Sequence, residues 1–194
     1  PIFEGKQYWN FYEWSYGLDG HELPKFDIIL NALISIALEN MGKIGDILGK
    51  PNQYRDMIPE INRRIREEFW DDEKGIFADC SDKARYSVLG NSLAILCGAA
   101  EDPKGVCERM LNLEGVTDIS LSMRCFKYDA MLLADKGKYK ESIFSEIDEN
   151  YRPMLELGNG TVWETDEGES DFGKAGSLCH GWSAMPIYYY NILS

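Results

Sequence analysis

The chain has 194 residues, and 20 Lys and Arg against 33 Asp and Glu give it a formal net charge of −13. Nucleic acids and anionic membranes both need a positive electrostatic footprint, so both are excluded as expected partners, while a neutral or cationic ligand is easier to accommodate. With 44% hydrophobic and 12% aromatic residues, including 11 Tyr and 5 Trp, the chain can bury the core of one ordinary domain, or of part of a larger one, and keep flat ring surfaces for a planar ligand face.

The chain opens on PIFEGKQYWNFYEW, aromatic-rich and without an initiator Met, which reads as the interior of a longer polypeptide. From Lys25 the apolar positions Leu30, Leu33, Ile34, Ala37, Leu38, Met41, Ile44 and Leu48 keep a 3,4 spacing that predicts a first helix, stopped by Gly49 and Pro51. Tyr54, Met57, Ile58, Ile61 and Ile65 share one face of a second. It ends at FWDDEKGIFADC, where Asp-Asp-Glu-Lys-Gly predicts a tight turn between two short extended pieces. A third helix is predicted over RYSVLGNSLAILCGAA, a fourth over KGVCERML and a fifth over SLSMRCFKYDAMLLAD. The sixth, KYKESIFSEIDENYRPMLELG, has Pro153 as a kink or near its last turns, and the seventh, SAMPIYYYNILS, has Pro186 inside it.

The most apolar run, FDIILNALISIAL, contains Asp27 and Asn31 and falls short of the roughly 20 residues a membrane span needs. Cys80, Cys97, Cys107, Cys125 and Cys179 form no CxxC pair and are odd in number, which points to a reducing, cytoplasmic location. With two His and no metal-ligand spacing, no metal is expected, and no cofactor.

Antiparallel helices in succession fit either a solenoid or a toroid of hairpins around an axis. Solenoid connections are short and alike. Here residues 1–24 and 158–176 are long, polar and aromatic, as expected where one end of a toroid carries a site. The expectation is an all-α fold of toroid-type helical hairpins.

The most chemistry-rich connection is NGTVWETDEGESDFGKAGSLCHGW, residues 159–182. Glu164 follows Trp163 directly, and a carboxylate beside an indole face is one way to build a sugar subsite. His180, Gly181 and Trp182 stand just before the last helix. The alternative is that Glu164 is a solvated loop charge and His180 an ordinary residue at a helix start. Asp166, Glu167, Glu169 and Asp171 lack EF-hand spacing. Cys179 and His180, adjacent at a helix start, point in different directions, which argues against a thiol nucleophile. GxSxG, P-loop, GxGxxG and HExxH motifs are all absent.

NGTVWET followed by SLCHGWSAMPIYYY resembles the C-terminal catalytic-barrel segment of bacterial α-L-rhamnosidases and their relatives, six-hairpin (α/α)6-barrel glycosidases. YWNFYEWSYGLDG and FWDDEKGIFAD are similar to their counterparts in the same order, so the resemblance covers nearly the whole chain. It implies hydrolysis of terminal α-L-rhamnosides with inversion, a carbohydrate substrate, and residues 1–194 as the C-terminal portion of a catalytic domain, an incomplete barrel. Glu164 would be the general base. His180 would contact the sugar or orient a neighbour. Trp163, Trp182 and Trp14 would line the subsite, and Glu13 would stand in its wall. The family's general acid lies upstream of the matched segment, so the chain alone is expected to be a poor catalyst. Glu13, set between Tyr12 and Trp14, is an alternative acid if desolvation raises its pKa, with Glu4 and Asp19 weaker candidates. An incomplete barrel would also expose an apolar flank that a homo-oligomer could cover. Readings of another class remain open: a non-catalytic helical module that binds a carbohydrate or a protein, or a solenoid scaffold.

Overall fold

The computed structural model describes residues 11–15, 17–19, 26–52, 54–157 and 160–194. Glu4, Tyr8–Asn10, Gly158 and Asn159 lie outside the described residues. Helix α1 (Ile28–Ile47) starts where Asp27, in extended conformation, accepts the Leu30 N–H at 2.8 Å. It ends at Gly49, whose φ of +64° is left-handed. Helix α2 (Met57–Phe69) runs into strand β1 (Trp70–Asp71), which pairs antiparallel with β2 (Ile76–Phe77). The Asp71 carboxylate closes the turn between them by accepting the N–H groups of Glu73 and Lys74 at 2.9 and 3.1 Å.

Strand β3 (Tyr86–Ser87) leads into α3 (Val88–Leu96), which is shorter than the sequence predicts. Tyr86 and Ser87 are extended because Ser87 is the cap, accepting the Gly90 N–H at 3.0 Å. Helix α4 (Pro103–Asn112) has Asp102 as its cap and Pro103 in its first turn. Strand β4 (Val116–Thr117) then lies parallel to β3. A 3-10 turn at Leu121–Met123 opens α5 (Arg124–Glu156), which breaks at Asp135 with φ −164° and ψ 93°. The two limbs of α5 are the predicted fifth and sixth helices, and Pro153 sits in the last turns of the second. Past the one-turn α6 (Asp171–Lys174), α7 (Pro186–Leu193) completes the chain. Pro186 is in its first turn rather than inside it, where its missing N–H costs nothing.

Helix α3 is the hub: every residue from Val88 to Ile95 is buried. It packs against α1 on one side and α5 on the other, while α2 covers α1, and α4 covers α3 and α5. Neighbours α1, α3 and α5 with α2 and α4 returning outside them form an arc of an α/α toroid. Helix α1 is long and apolar enough by composition to cross a membrane, and its N-terminal half packs into the core. Ile28, Ile29 and Ala32 are fully buried. Ser35 donates to Asn62 of α2 at 2.7 Å, and Asn62 in turn donates to the Cys97 carbonyl at 2.6 Å.

Because the helices alternate in direction, their connections alternate between two ends. Segments 11–15, 17–19, 26–27, 70–87, 113–123 and 160–185 gather at one end. An Asp27–Cys80 bridge, the β3–β4 pair, and contacts of Leu121–Met123 with Gly181–Ser183 hold them together. The opposite end has short turns only. The flanks of the arc remain apolar, with Ile47 84% and Ile187 79% exposed.

Candidate functional site

Segments 161–164 and 177–180 run side by side. Thr161 Oγ1 donates to the Leu178 carbonyl at 2.5 Å, and the N–H groups of His180 and Glu164 donate to Val162 and Ser177 carbonyls at 2.8 Å each. This two-rail frame holds Glu164. Among the described residues its carboxylate accepts only one long hydrogen bond, on Oε2 from Ser177 N–H at 3.3 Å, so the half-buried group keeps most of its acceptor capacity for a ligand or a water. Trp182 locks the same residue from the other side, donating its indole N–H to the Glu164 carbonyl at 2.9 Å. His180 stacks on Trp182 with centroids 3.8 Å apart, and its Nδ1 is buried without a partner.

Trp163 is placed differently from the sequence expectation. It is 5% exposed, and Gly168 lies on its ring so closely that a Cβ there would come within 2.6 Å. A ring covered in this way has no face to offer a sugar. It forms the floor under loop 165–176, and near Glu164, among the described residues, the indoles that reach the surface are those of Trp14 and Trp182.

Trp14 is 40% exposed. It meets Phe11 at 4.6 Å and, across the chain, Phe172 at 4.7 Å. Phe172 is at the tip of the acidic loop, where Phe172, Gly173 and Lys174 take φ of 49°, 68° and 76°. An aromatic residue in the left-handed region is strained.

Glu13 is also placed differently: none of it is exposed. Oε2 accepts the Ser120 N–H at 2.6 Å and the Ser15 hydroxyl at 3.1 Å, while Oε1 is buried without a partner. Burial raises its pKa, opposed by these hydrogen bonds. The direction suits an acid, but a fully enclosed carboxylate cannot reach a leaving oxygen or a sugar hydroxyl. Here it anchors the N-terminal loop to the segment before α5. Asp19 is half-buried in the same loop.

Arg124 escaped the sequence reading, which weighed Asp166 only as part of an acidic loop. Arg124 is 4% exposed, and both of its terminal nitrogens face the Asp166 carboxylate at 3.3–3.4 Å. The missed signal was a cation on an apolar stripe: Arg124, Tyr128 and Met131 fall on one buried helix face. Among the described residues no three His, Cys, Asp or Glu cluster as metal ligands would.

An arc of hairpins with its long loops collected at one end defines a segment of an α/α toroid. Among solved structures, the chain superposes on a GH78 family rhamnosidase of Bacillus sp. GL1 with a TM-score of 0.76 and 22% identity, over 94% of this chain and 20% of that one. It also superposes on a rhamnosidase from Klebsiella oxytoca with rhamnose bound, with a TM-score of 0.69 and 19% identity, over 93% of this chain and 37% of that one. The motif resemblance is therefore borne out in the fold. No protein-family model matches the chain, and no curated protein matches it in sequence.

Proposed function

We propose that the chain forms the base side of an inverting glycosidase site for terminal α-L-rhamnosides. The observation that carries this is the setting of Glu164. It is held by a hydrogen-bonded two-rail frame at the loop-rich end of a rhamnosidase-like arc, with one weak hydrogen bond on its carboxylate and the His180–Trp182 stack beside it.

In an inverting mechanism this carboxylate takes a proton from a water as that water attacks the anomeric carbon. A carboxylic acid about 6.5–9.5 Å away protonates the departing oxygen from the opposite face. Trp182 and Trp14 supply ring faces on which a sugar can stack, and His180 supplies a hydrogen-bonding edge. Buried free thiols at Cys80, Cys97 and Cys107 suit a reducing, cytoplasmic compartment.

The test is an assay of the full-length polypeptide carrying this chain on a panel of aryl glycosides that includes an α-L-rhamnoside, wild type beside Glu164→Gln. The expected result is a fall of roughly 10²–10⁴-fold in turnover of the rhamnoside with sugar binding retained. Equal activity in the variant removes Glu164 from the mechanism. Silence across the panel with retained sugar binding favours a non-catalytic carbohydrate-binding module.

A further inference from the structure

We infer that Arg124 is a positioning residue that fixes the Glu164 loop relative to the N-terminal aromatic loop. The inference rests on the site reading above and concerns what holds that site together. Arg124 Nη2 donates to the Ile119 carbonyl at 3.0 Å, and its two terminal nitrogens fork onto both oxygens of Asp166, two residues past Glu164. The Ser120 N–H, at the other end of the peptide group that begins with the Ile119 carbonyl, donates to Glu13 at 2.6 Å. One peptide plane thus links Glu13 on one side to Arg124 and Asp166 on the other. The exposed Trp14 follows Glu13 directly, so the chain of contacts sets the register between the stacking face and the carboxylate.

Core stability alone does not account for this cation. A buried guanidinium costs desolvation that an apolar residue of similar volume would avoid. Its position is adverse as well: Arg124 and Lys127 lie in the first turn of α5, where the helix dipole favours anions. Glu146, from the second limb of α5, faces Arg124 Nε at 3.4 Å and takes Lys127 Nζ at 2.9 Å, which balances charge beneath the site. That arrangement leaves the Arg124 fork to Asp166, whose side chain is 44% exposed and would otherwise be solvated. The fork draws a surface loop inward, as a positioning contact must.

The test uses Asp166→Asn and Arg124→Lys in the full-length polypeptide, assayed on an aryl α-L-rhamnoside beside Glu164→Gln. Asp166→Asn keeps an oxygen that can accept from Arg124 and leaves the Glu146 pairing in place, so it should fold with a modestly lowered melting temperature. It should nonetheless lower kcat on the order of ten- to a hundredfold with KM little moved. Amide hydrogen exchange over residues 161–180 should accelerate about tenfold in both variants. The double variant should lose little more than the worse single one. Wild-type kcat together with unchanged exchange in Asp166→Asn overturns the inference, and so does a rise in KM alone, which would make Asp166 a sugar contact. Should Glu164→Gln retain full activity, the site reading falls, and the exchange data still decide whether Arg124 holds the loop.

Discussion

Asp79 gives the sharpest physical prediction. It is 3% exposed and packed beneath the start of α3, accepting the Ser87 hydroxyl at 2.6 Å. Burial pushes its pKa from the ordinary 3.8 up to about 6, against the opposing pull of Ser87 and Arg85, with Asp27 adding to the rise. The folded state therefore holds this proton more tightly than the unfolded chain. Well below pH 3.8 the carboxyl is protonated in both states and costs nothing. Between pH 4 and 6 the unfolded chain ionises first, so stability falls as pH rises, and above pH 6 the full penalty persists. A rise from 3.8 to about 6 is worth about 3 kcal/mol. Asp79→Asn keeps an acceptor for Ser87 and removes the titration. Urea unfolding of both proteins at fixed ionic strength from pH 4.5 to 7.5 should show the Asn variant gaining on the wild type across that window by about 2 kcal/mol, the share of the penalty that falls above pH 4.5. A difference that does not change with pH would refute the reasoning, since it would mean that Asp79 is ionised throughout.

Other perturbations are just as specific. Gly168→Ala places a methyl group 2.6 Å from the Trp163 ring at a φ of +54°, and should cost about 2 kcal/mol in unfolding free energy with a change in near-UV circular dichroism. Phe172→Gly relieves left-handed strain of about 1–2 kcal/mol but loses the Trp14 contact and adds chain entropy. The melting temperature should barely move while tryptophan emission shifts red; a large loss of stability would show that the loop tip supports the core. The 194-residue chain by itself should self-associate through its apolar flanks, with Ile47→Glu and Ile187→Glu together weakening the assembly. Light scattering that finds a clean monomer at high concentration would count against this.

The helices were legible because their apolar spacing is regular over several turns, and the β1–β2 turn because Asp71 and its neighbours carry the turn chemistry. The β3–β4 pair was not legible. Two residues per strand leave no alternation to read, and the pairing joins Tyr86 to Val116 across the whole α3–α4 hairpin. Of the site, the loop holding Glu164, His180 and Trp182 stood out by composition alone. The burial of Trp163 and Glu13 did not. Whether an indole is a platform or a floor depends on Gly168 closing over it, and Glu13 is enclosed by Ser120, 107 residues away. Arg124 was hidden for the opposite reason: on an apolar stripe, it reads as an interruption of the pattern rather than as part of a site.

The two ends of the arc are held by different physics. Away from the site, short turns follow apolar helix contacts and the uncharged Ser35–Asn62–Cys97 tie, whose strengths do not depend on pH. At the site end the ties are buried polar ones: Tyr12 to Asp27, Ser87 to Asp79, Ser120 to Glu13 and Arg124 to Asp166. Burial raises the pKa of Glu13, Asp27 and Asp79 alike, so all three make the fold less stable as pH climbs from acid toward neutral. Hydrophobic residues at these positions would be less costly, which places the expense where the loops must keep a fixed geometry rather than where the core must be strong. Loosening should therefore begin at the site end. Hydrogen exchange at neutral pH should find segments 11–19 and 161–180 opening well below the free energy that unfolds α3, while moderately acidic buffer should narrow that gap before it changes the stability of α3 itself.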